Sequence, residues 1–203
     1  MIERVLLLIK HKLNYLWLAI EWTNSILFSI IYNTGLKKTL LEVFEENKNH
    51  PFNYRELGKS DITLLYELIK NQSPEDLDYF KPHGFDLHSL NYQLKNRAFL
   101  MMGTFDGNSL VGYFFLRFFV NRKCFVGRII DKSYRGHGIG IAMNNIMYEI
   151  AWRMGFRCLS TISKKNAAVV KAHLKNSAFK LIKELPDQYL LVEFVRGAGT
   201  KHE

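Results

Sequence analysis

The sequence predicts an α+β domain in which a central, mostly antiparallel sheet is flanked by helices, with a helical extension in front of it. Three observations lead there. From residue 52 onward the hydrophobic pattern reads strand, two helices, three antiparallel strands, helix, strand, helix, two strands. Residues 1–50 instead carry helical spacing and end at His50-Pro51, where the residue before proline avoids helical backbone angles. The composition, 48% apolar and 23% charged over 203 residues, can bury a sizeable core and excludes a disordered chain. We divide the chain into an amphipathic helical extension (1–50), one domain (51–197) and a flexible tail (198–203).

The extension opens with the apolar run Val5, Leu6, Leu7, Leu8, Ile9, followed by Lys10, His11 and Lys12. A second apolar stretch, 13–32, is interrupted by polar residues, of which Asn14, Glu21, Ser25 and Ser29 fall on one narrow helical stripe. A spanning helix needs about twenty predominantly apolar residues, and Glu21 would sit near its middle. No small-residue cleavage site follows an apolar run. The segment is therefore read as a peripheral amphipathic helix, and residues 1–32 as a cover for the domain, a homodimer face or a membrane-surface contact. Asn33-Thr34-Gly35 is expected to break this helix, and deletion of residues 1–35 to leave the domain's site formed.

In the domain, residues 52–57 read as a strand and Ser60 as the cap of a helix through Gln72, with Ile62, Leu64, Leu65, Leu68 and Ile69 inward. Residues 73–85 form an aromatic loop, and a short helix over 86–96 follows. Residues 99–105 and 110–120 are strands joined through Asp106-Gly107-Asn108, a sequence with hairpin-turn chemistry. A third strand covers 124–130. A glycine-rich loop leads into a helix over 139–154, then a strand over 156–163 and a helix over 166–176. Strands 179–184 and 189–195 close the domain as a hairpin.

Charge and cysteine usage narrow the function. Lys and Arg number 28 against 19 Asp and Glu, a net charge of +9. Residues 1–50 hold six cations and five acids, so +8 resides in the remainder, without a basic block of the kind that binds nucleic acid. A phosphate-bearing small ligand fits that distribution, and no nucleic-acid partner is expected. Cys124 and Cys158 are too few for a disulfide scaffold and fit a reducing, cytoplasmic setting. No Cys/His spacing of the zinc type occurs, so no metal is expected.

The residues 126–140, VGRIIDKSYRGHGIG, are the most informative. An apolar strand ends at Ile130, and Arg135-Gly136-His137-Gly138-Ile139-Gly140 opens the next helix. Closely spaced glycines let backbone N–H groups converge, and a helix N-terminus adds partial positive charge, a combination suited to pyrophosphate. No Gly-Lys-Ser/Thr ending marks a nucleoside-triphosphate loop. A dinucleotide fold would carry its motif after the first strand, not the fourth.

Arg-x-x-Gly-x-Gly, following the fourth strand and opening the third helix of the domain, resembles the acyl-CoA signature of the GNAT superfamily of N-acetyltransferases. The resemblance covers most of residues 52–195, including strand order. It implies the GNAT-like acyl-CoA N-acyltransferase fold, acetyl-CoA as acyl donor and direct transfer to an amine. It further implies that Arg135, Gly136, His137, Gly138, Ile139 and Gly140 take the phosphates, and that Ile129 and Ile130 face the pantetheine arm. Asn166 matches an asparagine that contacts the cofactor; it also reads as a plain helix N-cap, and both roles are compatible. His173 stands where the family often has a general-acid tyrosine. The family's helix-ending Gly-Phe is replaced by Ser177-Ala178-Phe179, with one residue more, so His173 reads either as the acid or as a structural helix residue.

For the acceptor side, His83 lies between Pro82 and Gly84 in the aromatic loop and is a candidate base or ligand wall, or else an exposed loop histidine. Arg117 and Arg128 sit among apolar strand residues and need partners if buried; an acidic group of the acceptor is one. Both cysteines read as packing residues. The expected function is acetyl transfer to an amine of a small molecule, an amino sugar or amino acid. The alternative is a non-catalytic acyl-CoA-binding or membrane-surface scaffold module.

Overall fold

The computed structural model describes residues 14–197. The apolar run at 5–9 and the expected tail at 198–203 lie outside the described residues. Helix α1 (Asn14–Glu46) runs for 33 residues and passes straight through Asn33-Thr34-Gly35, where a break was expected. The reason is packing. Phe28, Leu36, Leu40 and Val43 are all buried in the domain core, so both halves of the helix are held on the same surface. Tertiary contacts thereby outweigh the roughly 1 kcal/mol that Gly35 costs in a helix interior.

Glu21, Ser25 and Ser29 of the polar stripe are turned inward, with Asn24 beside them. Asn24 Nδ2 donates to the Phe118 carbonyl (2.9 Å) and its Oδ1 accepts from the Val120 amide (3.1 Å). Ser25 Oγ accepts from the Arg97 amide at 2.9 Å, Ser29 Oγ from the Arg97 guanidinium at 3.2 Å, and Glu21 pairs with Arg117. These contacts satisfy backbone groups where strands begin and end, which is why the stripe faces protein rather than water.

Beyond α1 come β1 (Asn53–Glu56), α2 (Ile62–Lys70), α3 (Pro74–Asp78), α4 (Leu87–Leu94), β2 (Phe99–Asp106), β3 (Ser109–Phe119) and β4 (Lys123–Ile130). The chain continues through α5 (Ile139–Arg153), β5 (Arg157–Ser163), α6 (Ala167–Leu174), β6 (Phe179–Leu185) and β7 (Tyr189–Phe194). The short helix α3 lies within the segment read as loop; Ser73 Oγ caps it by accepting from the Asp76 amide (3.3 Å). The seven strands form one sheet in the order β1-β2-β3-β4-β5-β7-β6. All neighbours are antiparallel except β4 and β5, which run parallel.

Helices cover both faces, so the central strands are apolar on both sides rather than alternating. On one face α1 and α5 pack with Phe114, Phe118, Ile146, Phe156 and Phe194 into the larger core. On the other, Leu65, Leu68 and Leu90 of α2 and α4 pack with Phe99, Tyr113, Phe115 and Ile129. No described helix is long and apolar enough to cross a membrane.

Candidate functional site

The parallel pair β4/β5 is joined only at its start, Lys123↔Arg157, Cys124↔Cys158 and Phe125↔Leu159. From there β4 continues on β3 alone and β5 on β7 alone. Ser160 Oγ, donating to the Val126 carbonyl (3.1 Å), bridges the base of the divergence. The strands thus part at their carboxyl ends, the place where open sheets admit ligands.

The glycine loop closes over that opening. Asp131 takes the Ser133 amide on its carboxylate (2.9 Å) and starts a tight turn, Lys132–Tyr134. Gly136 and Gly138 then adopt φ of 84° and 80°, the left-handed region that side chains other than glycine rarely enter. Gly138 is the N-cap of α5. No described hydrogen bond takes up the backbone N–H groups of residues 136–140, and a Cβ at Gly136 or Gly138 would meet nothing within 4 Å. Donors without a described acceptor at the positive end of a 15-residue helix are an arrangement that can receive an anion. The Arg135 side chain is used elsewhere. Its guanidinium bonds Asp76 (2.9 and 3.2 Å) and Gln72 (3.1 Å), bracing the loop against α3 and holding the Asp76 carboxyl below its usual range.

Beneath the loop lies a cluster that pattern reading singled out only in part. Arg128 shares a face of β4 with Cys124, Val126 and Ile130, the face toward α5. Its Nε donates to Asn144 Oδ1 (2.8 Å), and among the described residues no carboxylate pairs with it. One turn on from Asn144, Tyr148 accepts from Asn176 Nδ2 (3.1 Å) and stacks on Phe194 at 4.4 Å. Burial pushes the Tyr148 hydroxyl up, so it stays protonated. His173 projects from α6 into the same region, 5.2 Å from the Phe194 ring. Burial, with the Arg128 charge adding to it, lowers its imidazole to about 4. Tyr148 and Asn144 were missed by sequence reading, although their i, i+4 spacing on α5 places both on one helix face.

His83 lies on the opposite face of the sheet. Its Nδ1 is 2.8 Å from the Gly84 carbonyl oxygen and so carries the hydrogen; Nε2 accepts from the Tyr113 hydroxyl (2.7 Å). Rings of Phe85, Phe99 and Tyr113 surround it, and burial lowers its pKa. Tyr113 is paired in register with Ile129 of β4. His83 and His173 are therefore brought to the two sides of the same divergence, not to one another.

Asn166 caps α6, its Oδ1 accepting from the Val169 amide (3.1 Å). Arg117 is held by Glu21 of α1, and its charge adds to burial in lowering His83. Cys124 and Cys158 are buried, and burial raises both thiols, so neither supplies a thiolate at neutral pH. Among the described residues no cluster of His, Cys, Asp or Glu could hold a metal ion.

No family model matches the chain, and no curated protein matches it. Solved structures do. The PaiA N-acetyltransferase of Thermoplasma acidophilum, in complex with coenzyme A, superposes with a TM-score of 0.61 at 18% identity, over 71% of this chain and 99% of that one. The GNAT domain of S. lividans PAT gives 0.61 at 13% identity, over 70% and 88%. The chain has the GNAT fold. A third GNAT-like match, AAC(6')-Ib in complex with ribostamycin and coenzyme A, gives 0.57 at 14% identity, over 71% of this chain and 93% of that one. Helix α1 precedes the β1–β7 sheet and packs on it.

Proposed function

We propose that the chain is an acetyl-CoA-dependent N-acetyltransferase that transfers an acetyl group directly to an amine of a small molecule, an amino sugar or amino acid. The observation that carries this reading is the divergence of β4 and β5 beneath a helix N-terminus whose N–H groups have no acceptor among the described residues. The residues fit the donor: the amides of Gly136–Gly140 suit a pyrophosphate, and the backbone at Ile129 and Ile130 borders the opening along which a pantetheine arm would lie. Asn166 supports the same assignment, because its cap uses Oδ1 and leaves its amide nitrogen for a ligand. Acetyl-CoA, when bound, supplies an activated acyl group.

The chain's own residues divide the remaining work. Backbone amides at the end of β4 would stabilise negative charge developing on the acyl oxygen. A base must be neutral and able to take a proton. His83, held neutral by burial and bonded at Nε2 to the buried Tyr113 hydroxyl, is the candidate base for the acceptor's ammonium. His173, also neutral at pH 7, has no acidic proton to deliver and serves instead as an N–H hydrogen-bond donor. The permanent charge of Arg128, packed beneath Gly140, would add to the loop amides in holding the pyrophosphate.

Calorimetry with acetyl-CoA tests the donor site, and release of free thiol tests transfer, over a panel of amino sugars, amino acids and peptide N-termini. The parent chain is expected to bind acetyl-CoA. Gly138→Val, which forces a branched side chain to a φ of 80°, is expected to bind at least about tenfold more weakly. A parent chain that binds no acetyl-CoA at about millimolar concentration overturns the reading.

A further inference from the structure

We infer that the outward face of the first half of α1 docks on an anionic lipid surface. Between residues 13 and 36 the only charged residue is Glu21, and it is turned inward to Arg117. With Glu21, Ser25 and Ser29 bonded to the domain, what this half of the helix offers to solvent is uncharged and largely apolar, with Thr23, Asn33 and Thr34 as its exposed polar residues. Trp22 is 67% exposed, Ile30 75% and Ile31 61%. Beside them runs a groove of about 460 Å³ between α1 and the end of β3, with Leu16, Leu27 and Val120 on its rim. Single exposed apolar residues are ordinary, but a continuous set along one helix and an adjoining groove marks a contact surface.

Charge selects the occupant. Exposed Arg97 borders the helix at Ser25 and Ser29, and exposed Arg122 stands two residues beyond Val120 on the other flank. Along the sequence, Lys10 and Lys12 precede the apolar face and Lys37 and Lys38 follow it. The one carboxylate of this half is neutralised by Arg117. A second copy docking here would bring two rims of the same sign together, whereas an anionic bilayer surface complements the rim. The helix is pinned to the domain by its polar side, so it lies flat with Trp22 at the headgroup level, the position aromatic residues favour.

Flotation of the full chain with two kinds of vesicle tests this, phosphatidylcholine alone and phosphatidylcholine containing phosphatidylserine. Expected is flotation with the phosphatidylserine vesicles, weakened several-fold by added salt, together with a blue shift of tryptophan emission that Trp22→Phe abolishes. Trp22→Ser/Ile30→Ser should reduce flotation at least about tenfold at unchanged melting temperature, because both side chains are solvent-exposed in the free chain. Arg97→Glu should weaken it while the Arg97 amide still bonds Ser25. Absence of flotation, or equal flotation with both vesicles, overturns the proposal. So does a stable dimer that Trp22→Ser/Ile30→Ser dissociates, which would assign the face to a second copy.

Discussion

The guanidinium of Arg128 lies flat against the α-carbon of Gly140: a Cβ there would stand 3.1 Å from its central carbon and from one of its nitrogens. Gly140 belongs to the first turn of α5, where backbone N–H groups already concentrate positive charge. A cation with no carboxylate partner among the described residues, packed under that turn and partly desolvated, is unfavourable without an anion beside it. An anion in the glycine loop would neutralise both. On the proposed function, this pair would be organised around a ligand at some cost to stability, as functional positions commonly are.

That cost is measurable. Arg128→Met keeps the length of the side chain and removes its charge, so the variant should unfold at a higher temperature than the parent, by about 1 kcal/mol of added stability. Its affinity for acetyl-CoA should fall on the order of tenfold. Thermal unfolding and calorimetry on the same samples check both signs. A variant that melts lower and binds as before would make Arg128 a structural residue held by Asn144.

His173 makes a second prediction, in pH. Its folded value is lowered from 6.5 to about 4, so between those limits the unfolded chain binds the extra proton and the folded chain does not. Stability should therefore be full above about pH 6.5, decline as pH falls and level off below about 4. The total contribution is on the order of 3 kcal/mol at about 1.4 kcal/mol per unit. Denaturation midpoints from pH 7 to 4, compared with His173→Gln, check it; the variant should lose this part of the slope.

Local chemistry made much of this legible. Gly107-Asn108 set the β2–β3 hairpin, and the spacing of Gly136 and Gly138 located the left-handed turn into α5, because each is determined by a few consecutive residues. Ser73-Pro74-Glu75-Asp76 carried a helix-start signal that the surrounding aromatics obscured. The continuity of α1 through Gly35 was not legible, since it depends on Phe28 and Leu36 finding the same distant core. Nor was the role of Arg128. Its alternation with Cys124, Val126 and Ile130 marks its face of β4, but only the fold brings Gly140 and His173 to that face. Arg117, read as an acceptor ligand, is claimed by Glu21 from 96 residues away.

The Glu21–Arg117 pair ties the first half of α1 to β3, with both side chains under a quarter exposed. Removing one partner leaves a partly buried charge unmatched, at about 3 kcal/mol or somewhat less at this exposure. Arg117→Met alone should destabilise by that order, while Arg117→Met with Glu21→Gln should recover most of it. Chemical denaturation of the four proteins gives the coupling energy directly; additive losses would show that the pair is only a surface contact.

Phe28 decides whether α1 is separable from the domain. It is 1% exposed, stacks on Phe118 with ring centroids 4.8 Å apart and meets Phe156 edge-on at 6.1 Å. Phe118 belongs to β3 and Phe156 immediately precedes β5, so the ring fills the space between α1 and the strands that carry the β4/β5 opening. Phe28→Ala should cost about 3–5 kcal/mol, the range for a fully buried aromatic. Deletion of residues 1–35, which sequence reading expected to be tolerated, uncovers Phe118 and Phe156 and also removes the Asn24 and Ser25 contacts. The truncated chain should aggregate or unfold well below the parent's melting temperature. Acetyl-CoA binding by truncated protein that melts like the parent would show that α1 is an appendage and that the core closes without it.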